Sequence, residues 1–188
     1  MTAPPDLAVV DVAVTATAPT ADVARGRVAD NVSRVRAGLA DANVTRDRLR
    51  TTSFSLVAVR ENGTTVYRAT HDLELRVPVD DAGAVVDAAV GNGADRVDGV
   101  QFTLADDTRR TLRHRAIERA LANARADADV VANATGVTVT GLSAVHTSAV
   151  GPVPYAVTGT AARGAAATSF EPGPVTVTAT VSVTYRAR

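Results

Sequence analysis

The chain has 188 residues, 46% of them hydrophobic and 21% charged, and its twenty basic and twenty acidic side chains leave no net charge. That length and apolar fraction suit one compact domain with a single core and exclude a disordered segment. Zero net charge removes any global field toward nucleic acid or anionic membranes, and the absence of cysteine excludes disulfides, thiolate chemistry and cysteine-based zinc sites.

The apolar content is mostly Val and Ala, with only six aromatic residues, so the expected core is built from small and β-branched side chains that favour strands and close helix packing. No apolar run approaches the ~20 residues of a membrane span, and no transmembrane segment is expected. Met1 is followed by "TAPPDL", with neither a basic n-region nor an apolar h-region, so no signal peptide is expected in the chain as given.

Residues 8–18, "AVVDVAVTATA", alternate Val10, Val12, Val14 and Ala16 against Asp11, Ala13, Thr15 and Thr17, which predicts a half-buried strand. Thr20 then stands as an N-cap. Ala24, Val28, Val32, Val35 and Leu39 recur at steps of four and three, so 21–42 reads as an amphipathic helix with Asn43 at its exit. Strands are predicted over 50–59 and 64–78, joined by "ENGT", in which Asn62-Gly63 is a strong hairpin signal. Asp80 and Asp81 open a short helix carrying Val85, Val86, Ala89 and Val90, and Val100, Phe102 and Leu104 mark the next strand.

From Thr108 to Thr135 a stripe of Leu112, Ala116, Ile117, Ala120, Leu121, Ala124, Ala128 and Val131 predicts a long helix ended by Gly136. Asp106 and Asp107 stand at its start, and we read them as capping carboxylates that accept first-turn amides and face the positive end of the macrodipole, rather than as metal ligands. A strand, "VTVTGLSAVHT", a connector over 148–174 and a closing strand over 175–186 complete the order. The class expected is α+β: a ferredoxin-like βαββαβ unit extended by a long helix and two C-terminal antiparallel strands, in a single domain over 1–188.

Candidate chemistry is sparse. His71, His114 and His146 show no metal-ligand pair spacing and no triad pattern, so no catalytic residue, metal or cofactor is assigned. His71 alternates onto an apolar face, as a hydrogen-bonded core or interface histidine would. His114 stands four before Glu118 as a surface pair. The long helix carries Arg109, Arg110, Arg113, Arg115, Arg119 and Arg125, with Asp106, Glu118 and Asp129 placed to neutralise part of that charge. Without aromatic interleaving this suits a solvated or intersubunit face, with Arg109 and Arg113 as partner-binding candidates, and no nucleic acid is expected. A connector as long as 148–174 is either disordered or an arm that binds a protein partner, with Tyr155 and Phe170 as its anchors. Asn31, Asn43, Asn62 and Asn133 lie in glycosylation sequons.

Taken in order, "PPD" opening a strand, "DRLRTTSFSL", "YRATHDLELRVPVDDAGAVVDAAVGNGADRVDGVQFTL", "AIERALANARADADVVANATGV" followed by "TGL", and "EPGPVTVTATVSVTY" resemble the SIMPL domain family over nearly the whole chain. The resemblance implies an α/β fold and an extracytoplasmic bacterial or archaeal protein. It also implies large ring-like homo-oligomers, links to stress tolerance or signalling scaffolds, and no established reaction. The chain departs from the pattern in lacking a Gly-containing strand segment before its "PD". The function expected is a non-enzymatic, self-associating scaffold in cell-envelope stress tolerance, with strands 64–78 and 175–186 protruding to pair with another copy. The alternative is a small-ligand-binding or hydrolytic domain that uses a cleft under the 148–174 loop, with His71 or His146 as its polar group.

Overall fold

The computed structural model describes residues 1–153, 155–157 and 167–188, with side chains described for 1–148 and 167–188. In chain order the elements are β1 (Thr2–Ala3), β2 (Leu7–Ala18), α1 (Ala21–Asp41), β3 (Leu49–Glu61), β4 (Thr64–Val77), α2 (Ala82–Gly91), β5 (Arg96–Thr103), α3 (Asp106–Thr135), β6 (Val139–Val153), β7 (Tyr155–Val157) and β8 (Val175–Ala187). Short 3-10 turns, Arg46–Arg48 and Val79–Asp81, precede β3 and α2. Helices and antiparallel sheets together make this an α+β fold, as the alternating periodicities predicted. The residues divide into two compact units, one of 5–103 with 155–173, the other of 1–4 with 104–154 and 174–188. Composition suggested a single core; each unit has a buried cluster of its own.

In the first unit the sheet order is β3-β4-β2-β5-β7. β2 is its centre, antiparallel to β4 on one side and β5 on the other. Val10, Val12, Val14, Leu73, Leu75 and Phe102 supply the sheet side of the core, and Ala24, Val28, Val32, Val35 and Leu39 of α1 close over it with Val85, Val86 and Ala89 of α2. The opposite face of β2 is more enclosed than alternation implied, and Ala13 is fully buried there. Its cross-strand neighbours Asp72 and Arg96 account for this, since their side chains stand on either side of a single methyl. The β3–β4 hairpin turns at Asn62 and Gly63 with φ of 50° and 80°, the two positive values that a type I′ turn requires. Asn43, with φ of 62°, takes the chain out of α1 in the left-handed region that Asn tolerates.

In the second unit α3 packs along β8 and, more lightly, β6, and the sheet order is β1-β8-β6. Leu104, Val175 and Val177 are its buried cluster, with Ala3 and Leu112 packed against them. Gly136, with φ of 71°, ends α3 in the left-handed conformation expected of it.

The structure corrects three expectations. Strand 64–78 does not protrude: β4 is paired along its length by β3 and β2, because the tight turn folds β3 onto one edge while β2 occupies the other. β8, by contrast, is paired along one edge by β6, and on its other edge β1 reaches it only at Val175 and Thr176, so the rest of that edge has no strand partner among the described residues. The connector proposed to start at 148 continues as strand, with β6 running to Val153 and β7 pairing with β5. Finally, none of the proposed caps makes a side-chain cap hydrogen bond among the described residues. Thr20 is at the N-cap position of α1, but only its carbonyl serves, accepting from the Ala24 amide at 3.1 Å. Asp80 lies within the 3-10 turn, and Asp81 is itself helical in backbone, so its carboxylate cannot fold back on the following amides. At α3 the N-cap is Ala105, which puts Asp106 and Asp107 inside the first turn.

Candidate functional site

β3 is the outermost strand of the first sheet and is exposed along most of its length. α1 lies over β2 and β4 and barely touches β3. Phe54 and Leu56 share the α1 side of the sheet with His71 and Ala69, their cross-strand partners, yet they remain 48% and 37% exposed. Val57, on the opposite face, is 50% exposed. Between Ser53 and Val59 the strand has no charge and no proline. Arg50 pairs with Glu74 at 3.4 Å at one end, and Glu61 pairs with Arg68 at 2.5 Å at the other. A bulge between Thr51 and Ser53 marks where the register shifts.

His71 sits behind this edge. Its Nε2 is 2.8 Å from Thr51 Oγ1, and the Phe54 ring meets it edge-on at 5.8 Å. Burial, and then the positive charge of Arg36, hold the imidazole below its usual range, against a smaller opposing effect of Asp72. The ring is half-buried and hydrogen-bonded on the α1 side of the sheet.

The other face of this sheet is charged. Asp11 stands across from Glu74, and burial, Glu74 and Asp98 push its carboxyl above the ordinary range. Glu74 is engaged by Arg76 at 3.2 Å as well as by Arg50, and Arg96 pairs with Asp98. Asp72 Oδ1 is buried with no hydrogen-bond partner among the described residues. No group of three or more His, Asp or Glu among the described residues has an arrangement that could hold a metal ion.

Next to the β3 edge, between the end of α1 and the start of β3, lies a pocket of about 570 Å³. Leu39, Val44 and Leu49 form its apolar part, and Arg36 and Arg46 are its charged groups. Neither arginine was singled out by sequence, because a guanidinium in a helix stripe or a turn has no distinguishing pattern.

The remaining sequence candidates are dispersed. On α3, Asp106 accepts from Arg109 at 2.7 Å and Asp107 from Arg110, while Arg125 reaches Asp129 at 3.0 Å and lies 5.6 Å over the Tyr185 ring. Arg109 is thus partly neutralised, Arg113 is exposed with no ion pair among the described residues, and the anticipated Arg115–Glu118 and His114–Glu118 pairs do not form. His146 is exposed on β6 opposite Ser182. Phe170 packs its ring 5.6 Å from Phe102 and belongs to the chain's own core rather than to an exposed anchor. Thr168 is tied to Asp87 through Oγ1 at 2.6 Å and its amide at 3.1 Å. The Tyr155 side chain lies outside the described residues, so the cleft imagined beneath that segment has no described walls there. Asn43, Asn62 and Asn133 are exposed, whereas Asn31 is half-buried and accepts from Arg34 at 2.6 Å.

No helix is long and apolar enough to cross a membrane among the described residues. No curated protein matches the chain. The family model SIMPL, described as "Protein of unknown function (DUF541)", matches residues 1–185. The order of strands, helices and turns by which the sequence resembled that family is the order in which the chain folds, and the protein belongs to the SIMPL family.

Proposed function

We propose that the protein is a non-enzymatic scaffold that self-associates, and that it does so through the edge of β3 that no described strand pairs rather than through strand 64–78. The observation that carries this reading is the β3 edge, unpaired among the described residues, with Phe54, Leu56 and Val57 exposed on it. An edge strand offers a row of unpaired backbone donors and acceptors, and soluble proteins usually blunt such edges with charge, proline or shortness. β3 has thirteen residues, and its central run has neither charge nor proline. A second copy added antiparallel about Ser55 sets Phe54 against Leu56 on both sides of a two-fold axis and extends the sheet without a break. Fully burying a large apolar side chain contributes about 1.5–3 kcal/mol, and these residues have roughly half of that left to gain.

Static light scattering over a wide concentration range tests the proposal. Wild type is expected above monomer mass, and Phe54→Glu or Leu56→Arg is expected to shift it toward monomer with an unchanged circular dichroism spectrum. A strict monomer at every concentration overturns self-association, and assembly that ignores both substitutions overturns the role of β3. Family membership and the exposed sequons support a further part of the proposal, an extracytoplasmic place in envelope stress tolerance. Cell fractionation and an intact mass of the native protein test it, and a cytoplasmic, unmodified protein counts against it.

A further inference from the structure

The pocket beside β3 has the makings of a ligand site that is independent of self-association. It forms because α1, centred over β2 and β4, turns small residues toward the edge strand: Ser33, Ala37 and Ala40 line the helix side where larger side chains would fill the space. Leu39 and Val44 are buried core residues and Leu49 packs against that core, so the apolar wall is rigid. At about 570 Å³ the space falls within the roughly 300–1,000 Å³ of small-molecule sites.

The charge in its lining has one sign. Arg36 and Arg46 line it, no carboxylate does, and neither guanidinium has an ion-pair partner among the described residues. The neighbouring acid Asp47 is not part of the lining. Ser33 Oγ donates to the Ala29 carbonyl at 2.9 Å, so that hydroxyl of the lining is already engaged as a donor. Guanidinium forks are the groups best matched to a carboxylate, and a small apolar wall beside them suits a short hydrocarbon body. We infer that this pocket binds a small amphiphilic carboxylate, with its head between Arg36 and Arg46 and its chain along Leu39, Val44 and Leu49.

Hexanoate is the probe, titrated into the full chain and followed by amide chemical shifts, with acetate, 1-hexanol and hexylammonium as controls. Saturable binding of hexanoate is expected, with shifts centred on Ala37, Val44 and Leu49. Replacing Arg36 or Arg46 by Ala is expected to weaken it about tenfold each, the scale of one charge-assisted hydrogen bond. Ala37→Leu, which fills the space from an exposed helix position, is expected to abolish binding while leaving the fold intact, so the test survives if an arginine variant unfolds. The inference is overturned by an absence of saturation up to about 10 mM, where affinity is weaker than the millimolar range. It is also overturned if 1-hexanol or acetate binds as tightly as hexanoate, or if binding is indifferent to Ala37→Leu.

Discussion

α1 and α3 follow the same sequence rule and end differently. α1 has 21 residues and buries Ala24, Val28, Val32, Val35, Gly38 and Leu39. α3 has 30 residues, yet among them only Ala116 and Ala132 are buried, and Val130 and Val131 stay 67% and 62% exposed. The difference lies in what each helix rests on. Beneath α1 are β2 and β4, central strands of a five-stranded sheet; beneath α3 is β8, flanked by β6 and by two residues of β1. A stripe can bury only as much surface as the opposing layer covers. Amphipathic periodicity therefore reports a helix, not the depth of its burial.

Substitutions sharpen this contrast, beginning with the largest expected effect. Phe102→Ala removes a fully buried ring that packs on Phe170 and is expected to cost about 3–5 kcal/mol in chemical denaturation. Val131→Ala on α3 is expected to stay within about 0.5 kcal/mol. Comparable losses at the two positions would break the comparison.

Gly83 of α2 offers an intermediate test. A Cβ there would overlap the Thr168 backbone carbonyl, which cannot move without straining the Thr168–Asp87 bonds. Gly83→Ala is expected to lower stability by about 1–3 kcal/mol through overpacking, whereas Gly26→Ala, open on all sides, is expected to stabilise α1 by roughly 0.5–1 kcal/mol. Thermal unfolding of the pair reads both signs.

Smaller effects belong to the charges. Asp106→Ala with Asp107→Ala is expected to cost under about 1 kcal/mol, the scale of first-turn dipole interactions and exposed ion pairs without a cap bond. A larger loss in urea unfolding would restore the capping reading. Asp11→Asn is expected to stabilise by about 0.2–1 kcal/mol at neutral pH, because it relieves the cross-strand repulsion with Glu74. Its melting temperature should exceed that of wild type at pH 7 and converge with it in acid, where Asp11 is protonated.

His71 supplies a pH dependence of definite sign. Its folded pKa lies below the unfolded value of about 6.5, so the unfolded chain binds the proton more readily. The penalty is absent above that value and grows as pH falls from it toward the folded pKa. Nuclear magnetic resonance titration of the His71 ring is expected to give a value below that of His71 in the denatured chain, and Arg36→Ala is expected to raise it. A folded value at or above the denatured one contradicts this assignment.

The sequence by itself determined the local conformations. Asn62 and Gly63 dictate a hairpin because their positive φ is cheap only for such residues, Gly136 stops α3 for the same reason, and the 3.6-residue recurrence of Val28, Val32, Val35 and Leu39 dictates both a helix and its buried face. The tertiary structure decided which strands became edges, since the β3 alternation would fit an interior strand equally well and only the positions of β2 and β4 leave its outer side without a strand partner among the described residues. It decided the helix starts too: one residue of offset puts Ala105 rather than Asp106 at the cap, and a carboxylate one residue inside a helix points toward the next turn, where Arg109 waits, instead of back to the amides. It alone assembled the pocket, because Arg36 and Arg46 come together only when α1 and the turn before β3 fold around the same apolar wall. Local propensity acts over a few residues, whereas pairing and coverage depend on which distant segments compete for the same surface.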